Sequence, residues 1–504
     1  MPRQVSTPWP TNPGSVFFGD AASAPTLSRA VTAGRIRRLA SGVYSADLAA
    51  DEVALVGRNR WQIIARMIPD AVVADRSAAQ DGRPEDGTLF VVSGTRASQL
   101  ELPGLTVVPR RGQGPLEDDL PWAEGLRITS DARTLVDNLA VSRSRGGHVA
   151  RTLSLAELEE WLVRKAQLRP DGWLEHLRAD ALGVADHLEL TDDRREQIAE
   201  IIGQVVGTRP ARAGAAPLLA ARAAGLEFDP ARVERFDQLA GFLAAIPADP
   251  EIPAAMSAPP GDLDGTLPFY EAYFSNFIEG TEFSVEEAER IVSSGEVPAN
   301  RPADGHDVLG TYRTVADPVG RATVPVSAEQ LLDMLILRHQ AIMGGRPDKR
   351  PGEFKQERNQ AGSYVFVEPH LVRGTLVEGF RRVEALPPGF PRALYMLFLL
   401  SEVHPFDDGN GRVSRVAMCA ELSALGQARI LIPTVYRNEY QTALRELSRN
   451  GRCDLYARTL AWTWRWTAGM PWNDREATAG RLTATNALVD STDAEMRGLR
   501  LLLP

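Results

Sequence analysis

A chain of 504 residues has room for about two to four domains, and with 44% hydrophobic and 24% charged residues its composition excludes a disordered polymer. The net charge of −10 excludes a generally basic nucleic-acid coat, though not a local basic patch. Cys419 and Cys453, the two cysteines, exclude a disulfide framework or a cysteine-based zinc site and favour a reducing compartment. The opening MPRQVSTPWPTNPG has no apolar core of signal-peptide length, and no run approaches the roughly 18 apolar residues of a membrane span, so a cytoplasmic protein without membrane engagement is expected.

The first 50 residues set Arg3, Arg29, Arg35, Arg37 and Arg38 against Asp20 and Asp47. A short predicted helix with Leu27 and Val31 inward ends at Gly34. Ile36, Leu39 and Val43 then read as strand, with a turn at Ser41-Gly42. A helix followed by a basic β-hairpin is how a winged helix is built, and the segment resembles the N-terminal winged helix of AbiE-type antitoxin regulators. The resemblance implies a winged-helix-like domain over residues 1–60, with DNA as a partner through residues 25–45.

Residues 61–235 are expected to form an α/β unit followed by helices. Strands are predicted at Thr88–Ser93 and Leu105–Val108. Leu155, Leu158, Trp161 and Leu162 recur at helical spacing, as do Ile198, Ile201, Ile202 and Val205. No catalytic cluster stands out here. The histidines are scattered, and His306-Asp307 lacks any second ligand at metal-site spacing, so both read as structural. Pro247, Pro250, Pro253, Pro259, Pro260 and Pro268 crowd a short stretch and mark a boundary, after which the chain reads as helical to Trp472. The second half divides into 236–310, a core over 311–475 and a tail over 476–504.

The chemistry concentrates in HPFDDGNGRVSR, residues 404–415. An apolar helix from Pro391 to Val403 precedes it, and Val413, Val416, Ala417, Ala420 and Ala424 continue at helical spacing after it. The motif is therefore a loop opening a second helix. Gly409, Asn410 and Gly411 sit at that helix's N-terminus, where free N–H groups and the dipole attract anions. Arg412 and Arg415 share one face beside it. Asp408 offers the hard oxygen that Mg²⁺ prefers, and His404 has an ordinary pKa suited to general-base work. Together they describe a phosphoryl- or nucleotidyl-transfer site.

The motif matches the Fic signature HxFx(D/E)GNGRxxR at every specified position, and the chain resembles that family over roughly residues 240–470. The resemblance implies a mainly α fold: an all-helical Fic core with a β-hairpin flap, preceded by the winged-helix and α/β region. It implies ATP as substrate, Mg²⁺ as its companion ion, and transfer of AMP to a Tyr, Ser or Thr hydroxyl of a target protein. In that reading His404 is the base, Asp408 holds Mg²⁺, Asn410 with the backbone of Gly409 and Gly411 holds the α-phosphate, and Arg412 and Arg415 hold the outer phosphates. Phe406 anchors the loop, and Asp407 contributes surface charge alone. Doc-type members, which act as kinases, carry lysine where this chain has Gly411, so Gly411 favours AMP transfer.

Three further segments resemble family elements. Ser363, Tyr364, Val365, Phe366 and Val367 resemble the flap that docks a target by strand addition. Tyr436, Tyr440, Ala443 and Leu444 resemble the adenine side. Ser275, Glu279 and Gly280 match the inhibitory pattern (S/T)xxxE(G/N), which places the inhibitory helix in 236–310 and sets Glu279 against Arg415 as a bidentate pair. The expectation is an autoinhibited AMP-transferase, with a homodimer left open. Two alternatives remain: a hydrolase removing AMP at the same site, and a DNA-binding regulator whose Fic half senses nucleotide.

Overall fold

The computed structural model describes residues 9–504 apart from 11, 96, 97, 145, 146, 247, 248, 250, 263 and 264, so Arg3, Pro247 and Pro250 lie outside the described residues. Among those described, twenty α-helices and eleven short strands make the fold mainly α. The chain divides into two units, Met1–Ala223 and Ala224–Pro504.

In the first unit the predicted helix forms over Ala24–Thr32, with Leu27 and Ala30 buried and Val31 half-buried. The hairpin follows as Arg37–Ala40 against Val43–Ser45, and a third strand, Phe17–Phe18, pairs on the far side of Val43–Ser45. Arg37 is turned into the fold: its guanidinium donates to the carbonyls of Leu48 and Ala50 and to Glu52. Arg29, Arg35 and Arg38 remain exposed.

A six-stranded mixed sheet comes next. Its centre is Thr88–Ser93, parallel to Leu105–Arg111 and antiparallel to Val72–Val73. All six residues of Thr88–Ser93 are buried. Helix Glu52–Met67 covers the sheet with Val56, Ile63 and Ile64 against Leu89, Val91 and Val107. The second strand outruns its predicted end at Val108 because Arg110, though charged, is neutralised by Asp75 and Asp137. Helix Leu155–Gln167 buries Leu158, Trp161 and Leu162, but Leu155 is 49% exposed. It is the first residue after the Ser154 cap, whose capping box with Glu157 fixes the helix start. Ile198, Ile201, Ile202 and Val205 are all buried in helix Asp192–Val206.

The second unit is built around one helix, Phe390–Val403, whose side chains are buried on nearly every face. A helix apolar all round belongs at the centre of a core. Phe236 meets its Tyr395 and Phe398 edge-on, Tyr456 meets Phe398, and Trp464 stacks on Phe390 with centroids 4.7 Å apart. The motif helix, Asn410–Ser423, packs antiparallel against it in the helix–loop–helix arrangement the sequence suggests.

The expected segment limits at 60, 235, 310 and 475 all fall inside helices, namely Glu52–Met67, Pro230–Ala245, Pro302–Ala316 and Arg475–Ala484. Those limits follow changes of composition, whereas helix ends follow caps. Residues 476–504 are likewise no tail. Leu482, Ala487, Ala494 and Leu501 are buried in one cluster with Leu267, Tyr270, Phe274, Trp466 and Trp472. Helix Leu267–Ile278 is thus enclosed, and its Glu271 forms a buried ion pair with Arg429.

Candidate active site

The central helix ends by handing the chain to His404, which caps it at φ 53° and ψ 62°. That left-handed backbone costs a side-chain-bearing residue about 1–2 kcal/mol. It turns the loop sharply and aims the imidazole sideways, where it stacks on Phe366 with centroids 3.8 Å apart. His404 Nδ1 lies 3.3 Å from the Ser401 carbonyl. With the proton on Nδ1, Nε2 keeps its lone pair for a substrate. Burial pushes the pKa down to about 4, and the nearby Lys355 ammonium adds to the shift, so the ring is neutral near pH 7.

The loop is held from inside. Asn410 Oδ1 accepts from the Phe406 N–H at 2.8 Å, and its Nδ2 donates to the Phe406 carbonyl at 2.8 Å. Both ends of the Asn410 amide therefore shape the loop. Phe406 is fully buried and stacks on His339 at 3.8 Å. The Gly352 N–H donates to His339 Nδ1, so Nε2 carries the ring proton and donates to the Asp408 carbonyl at 3.1 Å. Burial lowers His339 to a pKa of about 4. Asp407 is more than surface charge: Arg350 grips both its oxygens at 2.8 Å.

Gly409 caps the motif helix at φ 75°, and a Cβ there would lie 2.8 Å from Met343 Cγ. Only glycine suits that turn. The N–H groups of Asn410, Gly411 and Arg412 that follow have no acceptor within the helix and form an anion cradle.

Arg412 is 2% exposed and pairs with the fully buried Asp307 at 2.5 Å, which also takes Arg346 at 2.6 Å. Arg412 is thus largely engaged by protein, and Asp307 is the carboxylate that sequence reasoning set aside. Its signal was present: an aspartate beside Val308 and Leu309 on the inner face of a helix requires a buried cation. Asp408 keeps one oxygen on the Gly409 N–H at 2.6 Å and the other 4.0 Å from Arg346. Its side chain is 37% exposed. One accessible carboxylate suits Mg²⁺, which takes one or two protein oxygens and completes its shell with phosphates and water. No group of three or more metal-binding side chains occurs among the described residues, so a bound nucleotide would have to supply the remaining oxygens.

Arg415 is reached by the helix that precedes it by 140 residues. Its Nε donates to Ser275 Oγ at 3.1 Å, and Nη2 donates to the Ser275 carbonyl at 2.8 Å and to Glu279 Oε1 at 2.7 Å. The Arg415–Glu279 pair is single-pronged rather than bidentate, because the Nε donor faces Ser275 instead. Glu279 closes helix Leu267–Ile278, and Gly280 turns away at φ 89°. Desolvation pushes the Glu279 carboxyl up, but Arg415 and then Arg412 pull it further down, leaving it below the ordinary value and ionised. A Cβ on Gly411 would lie 2.0 Å from Glu279 Oε1, so the carboxylate rests directly over the cradle.

These groups open on one cavity of about 350 Å³, bordered by His404, Gly411, Arg415, Glu279, Tyr364 and Tyr440. Phe366 and Leu444 also reach it; Asp408, Gly409, Asn410, Arg412, Ser275 and Gly280 stand outside its lining. Ala443 is buried, and Tyr436 packs into the core beside Val435 and Trp466.

The flap is shorter than expected. Only Gln360–Ala361 and Tyr364–Val365 pair, Ser363 lies in the exposed turn, and Val367 is fully buried. The Phe366 N–H donates to the Asn359 carbonyl, so by antiparallel alternation the Val365 carbonyl points out of the hairpin. It accepts from Arg232 Nη2 at 2.6 Å. Arg232 also pairs with Glu402 at 2.7 Å, and Glu402 receives Tyr364 Oη and Ser448 Oγ. This polar knot fixes the flap, and its members are too far apart in sequence for any motif to have joined them. No helix among the described residues is long and apolar enough to cross a membrane.

Residues 329–422 match the family model described as the Fic/DOC family. The chain is 26% identical over 199 residues to the protein adenylyltransferase Fic of Drosophila persimilis, covering 38% of each chain. It is 24% identical over 185 residues to the protein adenylyltransferase fic-1 of Caenorhabditis elegans, covering 35% of this chain and 36% of that one. The match thus spans under two fifths of these relatives' length. Among solved structures, Fic-1 from C. elegans aligns with 17% identity and a TM-score of 0.36, covering 66% of this chain and 94% of its own. Over residues 329–422, therefore, the chain carries a domain of the Fic/DOC family.

Proposed function

We propose that this protein transfers AMP from ATP to a hydroxyl of a target protein, and that Glu279 holds the site in a restrained state. The observation that carries this reading is the meeting of His404, Gly411, Arg415 and Glu279 on one cavity. His404 Nε2 takes the proton of the acceptor hydroxyl, whose oxygen attacks the α-phosphorus. The bond from that phosphorus to the bridging oxygen breaks, and pyrophosphate leaves. The N–H groups at Gly411 stabilise the charge that builds on the α-phosphoryl oxygens. Mg²⁺, with Asp408 as its protein ligand, would supply charge neutralisation for the phosphates. The relatives named adenylyltransferase, and the absence of a side chain at Gly411, support AMP transfer over phosphate transfer. Incubating Glu279→Gly protein with α-labelled or γ-labelled ATP tests this. AMP transfer deposits only the α-label on protein, and deposition of the γ-label would replace it with a kinase.

A second reading is favoured by Glu279 and His404 sharing the cavity: Glu279 could place a water for removal of AMP. Release of AMP from a modified protein without ATP would identify that direction.

A further inference from the structure

The charged side chains bordering the cavity are not all accounted for by nucleotide chemistry. Glu279 is paired with Arg415, Glu402 with Arg232, and His404 is neutral. Arg445 and Arg449 remain. Both lie on helix Arg437–Asn450, one turn apart, and both are exposed. Among the described residues neither pairs with a carboxylate: Arg445 Nη2 donates to Thr442 Oγ1 at 3.0 Å, and the Arg449 guanidinium lies 5.9 Å from the Tyr364 ring centroid. Between them in sequence, Ser448 donates a 2.6 Å bond to Glu402 of the central helix, which also accepts from Tyr364 Oη of the flap, so this face of the helix stands beside the flap.

Tyr440, on the same helix, faces Arg415. At about 1.5 Å of rise per residue, Arg449 lies roughly 13 Å further along the axis, at the flap end rather than over the phosphate cradle. Two uncompensated cations beside the flap suit an anionic polypeptide better than they suit ATP. Side chains one turn apart on a helix stand about 6 Å apart, close to the roughly 6.6 Å between alternate side chains of an extended strand.

We propose that Arg445 and Arg449 read acidic residues beside the acceptor hydroxyl, selecting targets whose docking segment carries Asp or Glu at alternate positions. Arg's planar fork matches a carboxylate and sets its orientation as well as its charge. The inference rests on the AMP-transfer reading only in calling the hydroxyl an acceptor; the docking itself needs no chemistry.

The test uses the full chain carrying Glu279→Gly and three fluorescent nine-residue peptides, each with a central tyrosine flanked by Glu-x-Glu, Gln-x-Gln or Lys-x-Lys. Binding is read by anisotropy, beside ATP affinity by calorimetry. The Glu peptide should bind about tenfold tighter than the Lys peptide, a difference of about 1.4 kcal/mol. Adding Arg445→Glu and Arg449→Glu should reverse that order and leave Tm unchanged, since both positions are exposed. Equal binding of the three peptides, or none, overturns the proposal. A charge-reversed protein that loses ATP affinity without reversing peptide preference overturns it too, and assigns the arginines to nucleotide phosphate. Because binding is measured apart from label transfer, failure of the docking and failure of the AMP-transfer reading give different results.

Discussion

The Glu279 carboxylate sits 2.7 Å from Arg415 Nη2 and covers Gly411 so closely that a methyl group there would not fit. One side chain thus occupies both an arginine and the opening of the anion cradle. Replacing it with glycine should raise AMP transfer at least tenfold, since every ~1.4 kcal/mol favouring the restrained state removes a factor of ten from the open one. Glu279→Gly combined with Arg415→Ala should lose most of that gain. Transfer at the parental level on every substrate, the protein itself included, would make Glu279 an ordinary helix-end residue.

His404→Ala in the activated background should reduce transfer by about 100- to 10,000-fold while nucleotide binding persists, because the cradle is backbone. The pH profile is a sharper check. The base form of His404 exists above a pKa of about 4, so kcat/KM should stay level from pH 8 down to about 5. An acid limb centred near 6.5 would mean that the free enzyme does not hold the imidazole in the buried, neutral form.

Asp307 is expected to be a stability residue as well as an organiser of the motif. Asp307→Ala strands the buried Arg412 and should cost about 3–5 kcal/mol, read as a lower urea midpoint at constant slope. Asp307→Asn keeps the shape and part of the hydrogen bonding, and its loss should be smaller. Equal stability in all three proteins would show that Arg412 finds water instead.

Acid should weaken the fold through the two buried imidazoles. His339 and His404 protonate near pH 4 when folded and near the ordinary 6.5 when unfolded, so the unfolded chain binds more protons between those values. Their contribution is complete above pH 6.5 and declines as the pH falls toward 4. In His404→Ala protein the decline should be shallower by about one proton, or about 1.4 kcal/mol per pH unit. Parallel stability curves for the two proteins would count against a neutral, buried His404.

The motif was legible because its parts are contiguous: an apolar helix, a glycine turn and a second helix leave a local pattern, and the strand Thr88–Ser93 was equally local. What escaped were pairings across the chain. Asp307 to Arg412, Arg232 to Val365 and Ser448 to Glu402 each join residues whose neighbours look unremarkable alone. The flap was overread because Ser363–Val367 alternates like a strand, whereas two residues pair and Val367 is drawn into the core. Arg37, counted with the basic residues of the first fifty, is held by local carbonyls instead.

Helix Leu267–Ile278 cannot swing away from the site. Tyr270 and Phe274 are sealed under Trp466, Trp472 and the last forty residues, and exposing each such aromatic would cost about 1.5–3 kcal/mol. Turning the Glu279 side chain about its own bonds costs one ion pair and a rotamer, at a rim that is 30% exposed. If Glu279 restrains the site as proposed, such a brake is never shed; it flickers. Resting output would then be the open fraction of a single carboxylate, and a ligand would raise it by outbidding that carboxylate for Arg415, with no domain rearrangement behind it.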